Sequence, residues 1–269
     1  MILALKLILT PAVIALATLA GRRFGRAASG WLVGLPLTSG PITAFLAVEH
    51  GRPFAARAAT GSLGGAIGEV GFCVAYATAA RRTGWRGAVL AGSSAFVVVA
   101  LVLEALPLST RVGVVAPLAV VAAGCLLAGL ALVPRVRVAV EAPVRLPSRW
   151  DIPARAVAAT AFLLALTSLA TTFGPRLSGL IAVYPLYTVV LAAFAHAHDG
   201  RAGGVQVLRG LLVGLFSFVG FYALLAVLLT RTSTAEAFLV AALVALAVQA
   251  ATLVPLLCAR EDSNLRPTA

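Results

Sequence analysis

FGRAASGWLVGLPLTSGPITAFLAVEHGRPFAARAATGSLGGAIGEVGF, residues 24–72, recurs 149 residues later without a gap as FGPRLSGLIAVYPLYTVVLAAFAHAHDGRAGGVQVLRGLLVGLFSFVGF, residues 173–221. Phe24-Gly25 falls on Phe173-Gly174, Ser29-Gly30 on Ser178-Gly179, Pro36-Leu37 on Pro185-Leu186, and Ala44-Phe45 on Ala193-Phe194. Gly51-Arg52 then meets Gly200-Arg201, Gly61 meets Gly210, Gly65 meets Gly214, and Val70-Gly71-Phe72 meets Val219-Gly220-Phe221. These are fifteen of the sixteen identities in 49 positions, Leu63 on Leu212 being the other, where so biased a composition gives roughly five by chance. The two stretches read as copies of one unit.

Outward from the repeat, nine apolar runs have the roughly 20 residues that an α-helix needs to cross about 30 Å of hydrocarbon. They run from Ile2 to Ala20, Ala27 to Val48, Ala58 to Ala80, Gly87 to Leu106, Val112 to Val133, Ala156 to Phe173, Leu177 to Ala197, Val205 to Leu229, and Ala237 to Leu257. The offset sets the first span on the sixth and the fourth on the ninth, leaving the fifth without a mate. Five crossings is an odd number, so the second unit enters the membrane from the opposite face. The predicted fold class is all-α: a polytopic transmembrane helical bundle of about nine helices built from two inverted-topology repeats. Residues 1–110 form the first repeat, 111–152 the linking fifth helix with a basic loop, 153–258 the second repeat, and 259–269 a tail.

Composition agrees. The chain is 61% hydrophobic and 11% charged, an apolar excess that one aqueous core of this size does not bury. Its longest polar stretch, Pro134 to Arg155, is 22 residues, too short for a soluble domain. The net charge of +12 sits in short clusters between apolar runs, which fits membrane topology and not nucleic acid. With alternating crossings, fifteen Lys and Arg fall on one side and six on the other. The positive-inside rule then sets the amino terminus outside and the carboxyl terminus in the cytoplasm of a bacterial inner membrane. The first twenty residues are read as a helix and not as a signal peptide, because no secreted domain follows.

The fifth span would recur at 261–282, where the chain shows Glu261 to Ala269. This tail resembles the translated antisense strand of a transfer RNA gene, since Asp262-Ser263-Asn264 can be encoded by the complement of the T-loop. It is expected to be disordered and dispensable.

Two repeats of about 150 residues in opposite orientation resemble the drug/metabolite transporter superfamily. The resemblance is one of architecture and implies an exporter or exchanger of small metabolites.

The second span carries Gly34-Leu35-Pro36-Leu37-Thr38-Ser39-Gly40-Pro41 near its middle. Pro36 and Pro41 each remove a backbone donor, and the freed carbonyls are tolerable in a bilayer only beside protein or a cavity. The stretch reads as the start of a second half-helix. At the matching place the seventh span carries Tyr184-Pro185-Leu186-Tyr187-Thr188. Breaks at corresponding positions of inverted halves point to a midplane site. The candidate substrate-binding residues are therefore Pro36, Thr38, Ser39, Gly40, Tyr184, Pro185, Tyr187 and Thr188. The alternative is a pair of inherited packing kinks.

Glu69, halfway along the third span, is the candidate for proton or ion coupling. A carboxylate there costs about 2.5 to 3.5 kcal/mol, so it should face the interior. The plainer reading is a neutral carboxyl bonded to another helix. Glu49, His50, His198 and Asp199 end the second and seventh spans at matching positions and are candidate gate residues, since histidine as a residue type titrates near neutral pH, or ordinary interfacial groups. Gly61 with Gly65 and Gly210 with Gly214 are small-residue pairs for close helix packing.

Cys73, Cys125 and Cys258 lie in three separate apolar runs without metal spacing. No nucleophile triad, phosphate loop or zinc-protease motif occurs. No catalytic residue, metal or cofactor is predicted. The expected partners are the lipid bilayer and a small-molecule substrate. The leading function is a secondary transporter; a membrane scaffold and a lipid-modifying enzyme are the rivals.

Overall fold

The computed structural model describes residues 2–105, 114–136, 150–173 and 184–265, and among them every regular element is an α-helix. In chain order these are α1 (Ile2–Phe24), α2 (Arg26–Val33), α3 (Ser39–His50), α4 (Arg52–Ala79), α5 (Trp85–Ala105), α6 (Val115–Leu132), α7 (Asp151–Phe173), α8 (Leu186–Leu228) and α9 (Thr234–Leu265). Six of them are long and apolar enough to cross a membrane. Leu90, Val98, Val120, Leu127, Leu239 and Leu243 are all more than half exposed. Such an outer surface suits lipid and not water.

Helix boundaries recur at the offset of the sequence repeat. α1 and α7 begin at residues 2 and 151 and end at residues 24 and 173. α4 spans 52–79, and α8 past its kink spans 201–228. α5 and α9 begin at 85 and 234. Glycine explains part of this regularity. Gly51 (φ 83°) turns α3 into α4, and Gly200 (φ 70°) divides α8 into segments 186–199 and 201–228. Both are left-handed conformations that a Cβ disfavours.

The second predicted span is two pieces, α2 and α3, separated by Gly34 to Thr38, as the breaker-rich stretch predicts. α4 starts six residues before the apolar run at Ala58, because Gly51 and Pro53 at the first helical turn nucleate it regardless of polarity. α9 likewise continues to Leu265, through the first residues of the tail expected to be disordered. Nothing between Leu257 and Pro267 breaks a helix, so the apolar run ends before the helix does. Residues 266–269 lie outside the described set.

α2 crosses the second segment of α8 with backbones in contact. A Cβ built on Gly30 would stand 1.9 Å from the Val207 carbonyl oxygen, and one on Gly214 2.4 Å from that of Trp31. Gly210 and Gly214 thus act as the predicted small-residue pair. Gly61, by contrast, is exposed with nothing around its α-carbon among the described residues. α5 packs on α4 through Gly68 against Phe96 and Gly92 against Phe72. α6 touches both halves: Gly129 faces Val70 of α4 and Leu212 of α8.

Charges gather at one end of the bundle. Arg22 reaches Asp151 at 3.0 Å, Arg155 reaches Asp151 at 2.9 Å, and Arg26 reaches Asp199 at 2.5 Å. Arg209 donates to the carbonyls of Leu130 and Val133 at the end of α6, where a cation offsets the helix dipole. At the other end Arg52 donates to the Thr232 carbonyl at 2.6 Å.

Burial pushes the Asp151 carboxyl upward, but hydrogen bonds and charge from Arg155 and Arg22 outweigh it and hold the group below its ordinary 3.8. A lowered carboxyl stabilises the fold above its ordinary value and loses that contribution as pH falls through the lowered one. The thermal midpoint of the parent is therefore expected to fall as pH drops below 3.8, and that of Asp151→Asn to fall less. Parallel acid profiles for the two proteins would remove Asp151 as the cause.

Candidate functional site

The two breaks share two backbone hydrogen bonds at matching positions. In the first, the Leu37 amide bonds the Leu35 carbonyl at 2.8 Å and the Gly40 amide bonds that of Pro36 at 2.9 Å. In the second, the Leu186 amide bonds the Tyr184 carbonyl at 2.8 Å and the Val189 amide bonds that of Pro185 at 2.9 Å. Leu35, Pro36, Leu37 and Gly40 are the repeat mates of Tyr184, Pro185, Leu186 and Val189. Pro185, at φ −76° and ψ 57°, centres an inverse γ-turn. Proline suits that turn because its φ is preset and it has no amide to lose.

Each turn starts a half-helix: α3, of 12 residues, and the 186–199 segment of α8. Tracing the crossings, α3 leads to the end where Arg52 bonds Thr232, and 186–199 leads to the opposite end, where Asp199 pairs with Arg26. Both helical amino termini therefore point into the middle of the bundle.

Several hydroxyls meet there. Tyr187 bonds Thr10 at 3.0 Å and is also within hydrogen-bonding reach of Thr38. Thr38 and Tyr187 are repeat mates in the sequence. Tyr222 is fully buried, contacts Thr43 at 3.4 Å, and is bordered by Ser39 and Ser62. Ser39 thus turns toward Tyr222. Thr188 is 2% exposed and has no hydrogen-bond partner among the described residues. Gly40 faces the Phe221 ring and Pro36. Tyr184 points away from this group: its hydroxyl bonds Ser93 of α5 at 2.6 Å, and its ring stands edge-on to Phe96 and Phe162.

Ser62, Glu69 and Tyr76 are spaced by seven residues and share one stripe of α4. The Tyr76 hydroxyl donates to the Ala192 carbonyl at 3.3 Å and meets His196 Nδ1 at 3.1 Å, so the stripe faces the first segment of α8. Two helical turns back from Tyr76, Glu69 is level with the start of that segment, roughly 10 Å from the Tyr76 level at 1.5 Å per residue. Glu69 is half-buried and has no hydrogen-bond partner among the described residues.

The four helix-end residues lie at the ends of their helices, away from these hydroxyls. Glu49 and His50 are exposed, with His50 stacked on Phe54 at 4.8 Å. His198 stacks on Phe194, and its Nδ1 lies 2.9 Å from the Phe194 carbonyl, while Asp199 pairs with Arg26. Among the described residues no His, Cys, Asp and Glu cluster forms a metal site.

The sequence reading missed Thr10, Thr43 and Tyr222. Each lies outside the two breaker motifs; Tyr222 follows the last aligned residue of the repeat by one, and its mate is Cys73. A hydroxyl in a long apolar run was the available signal, but many such groups bond their own helix, as Thr60 does to Ala56. Set beside known proteins, the chain matches no family model, no curated protein and no solved structure.

Proposed function

We propose that the protein is a secondary transporter of a small solute, working by alternating access of two inverted halves around a site between the breaks at Pro36 and Pro185. One observation carries the reading: the same γ-turn precedes a half-helix in both halves, and the mates Thr38 and Tyr187 come within hydrogen-bonding reach. Interrupted helices of this kind place binding groups at the midplane, and rocking of one half about the other exposes them in turn. Glu69, unpartnered beside the second break, is the coupling group; it takes up a proton with the solute bound and releases it on the other side. The helix-end pairs Glu49-His50 and His198-Asp199 flank the two routes to the site. The fifteen-to-six charge asymmetry supports an amino terminus outside.

Proteoliposomes loaded with a pH-sensitive dye test this directly against a panel of small organic acids, alcohols and amines. At least one solute gradient should drive proton movement. Glu69→Gln, which keeps shape but cannot release a proton, should abolish that movement while the protein still inserts. Thr38→Val and Thr188→Val should weaken the half-saturating concentration about tenfold each. Proton movement by Glu69→Gln at the parental rate would overturn the coupling role, and a dry bundle that moves none of the panel favours the scaffold.

A further inference from the structure

We propose that Arg52 and Arg201 are alternating latches: Arg52 holds the corner at Thr232, Arg201 holds the corner at Thr83, and the bundle makes one of these bonds at a time. The inference rests on the inverted-repeat part of the function proposed above and not on any solute.

Arg52 and Arg201 are repeat mates, each the first residue after a left-handed glycine, Gly51 or Gly200. Thr83 and Thr232 are mates as well, 149 residues apart. The corners that hold these threonines, between α4 and α5 and between α8 and α9, match bond for bond. Thr83 Oγ1 donates to the Ala79 carbonyl at 2.9 Å, and Thr232 Oγ1 donates to that of Leu228, the mate of Ala79, at 3.1 Å. The amides of Arg82 and Arg231 bond the same two carbonyls, both at 2.9 Å, and those of Thr83 and Thr232 do so at 2.9 and 2.8 Å.

One contact departs from this agreement. Arg52 Nη1 donates to the Thr232 carbonyl at 2.6 Å, whereas the Thr83 carbonyl accepts no hydrogen bond among the described residues. Arg201 Nε is instead buried without a hydrogen-bond partner, and its guanidinium joins no ion pair among the described residues. Asp199, two residues before it, is taken by Arg26. A buried donor left unbonded is costly, and the open Thr83 carbonyl is the mate of the acceptor that Arg52 uses.

Arg201 and the Thr83 corner belong to the same end of the bundle. The hydroxyl of Tyr76, near the end of α4, stands 3.3 Å from a Cβ built on Gly204, one turn into the helix that Arg201 begins. The ion pairs of that end join Arg22 to Asp151 and Arg26 to Asp199, which leaves α4 outside them. Its corner can close on Arg201 without breaking either pair. Matched corners would both be latched if one arrangement of the halves allowed it, so the difference lies in how the halves are set against each other. Closing one corner opens the other, and exchanging the roles of the halves gives a second state with Arg201 bonded and Arg52 free.

Distances between paired spin labels on the full chain in lipid nanodiscs test this, with Cys73, Cys125 and Cys258 replaced by Ala. Pro53→Cys with Thr230→Cys reads the Arg52 corner, and the mate pair, Ala202→Cys with Arg81→Cys, reads the Arg201 corner. The parent should give its shorter distance at the Arg52 corner. Arg52→Met, which keeps the apolar stem and removes the donor, should shift the populations at least about fivefold, toward a longer distance there and a shorter one at the Arg201 corner. Arg52 is exposed, so the variant keeps the core intact. Adding Arg201→Met should remove the new short distance and leave both corners long, while Arg52→Lys, which keeps a donor, should stay close to the parent. Lengthening at the Arg52 corner alone, or no change at either corner, overturns the exchange. A short Arg201-corner distance that survives Arg201→Met overturns its role as a latch. Exchange without flux of any solute in proteoliposomes retains the latches and removes transport; flux with both corners fixed retains transport and removes the latches.

Discussion

Gly210→Ala is expected to yield little folded protein and to lower the thermal midpoint of whatever survives by more than any other single methyl group in the bundle. Its new Cβ would lie 1.8 Å from the Ala27 carbonyl oxygen and 2.6 Å from the carbonyl carbon. Both are backbone atoms, so no side chain can rotate away. α2 must move off α8 by more than an ångström, which also unseats Gly30 and Gly214. Overpacking of a dense interior costs about 1 to 3 kcal/mol where side chains can adjust, and more where they cannot. Gly124→Ala is the control, because nothing stands near that α-carbon among the described residues and Ala gains about 1 kcal/mol over Gly in a helix. Size-exclusion profiles and melting curves of both variants give the answer. A Gly210→Ala protein that elutes and melts like the parent would show that α2 does not seat on this glycine.

The second large effect concerns the charged end of the bundle. Asp151→Asn should destabilise by about 3 to 5 kcal/mol, the range seen when one member of a buried ion pair is removed. Arg155 is 2% exposed, and beyond its 2.9 Å bond to Asp151 its guanidinium has the Phe194 ring at 5.1 Å. Without the carboxylate a buried cation keeps that ring and the more distant charge of Asp199 but no hydrogen-bonded anion, and Arg22 loses its link from α1 to α7. For a chain of this size the thermal midpoint should drop by roughly 10 °C. Asp151→Asn combined with Arg155→Gln should recover part of the loss, because neither charge is then stranded. A double variant worse than Asp151→Asn alone would show that Arg155 acts through packing and not through the pair.

The bundle and its two breaks were readable in the sequence because glycine and proline mark them at a constant offset. Gly51 and Gly200 set the corners, and Pro36 and Pro185 set the turns, each for a backbone reason that a single residue type supplies. Helix lengths were less readable. Polarity told where the chain can enter lipid and not where helical hydrogen bonding stops, so α4 began earlier and α9 ended later than their apolar runs. The hydroxyl group around Tyr187 and Tyr222 was only half readable. Thr38 and Ser39 were found from the break itself, but Thr10 and Thr43 are 177 and 179 residues from their partners, and no local pattern announces a contact at that separation. Tyr184 shows the converse: it belongs to the motif, yet its hydroxyl serves α5.

α6 is the element without a mate, and it rests on both halves at once through Gly129, Val70 and Leu212. In the transporter proposed above, two states exchanged by a perfect two-fold duplication would have equal energy, and nothing would then set which side is open at rest. A single helix resting on both copies, joined to ion pairs that among the described residues gather at one end, would remove that degeneracy. On the transporter reading proposed above, alternation would start from a biased equilibrium, and a bound solute would have to supply the difference in affinity that tips it.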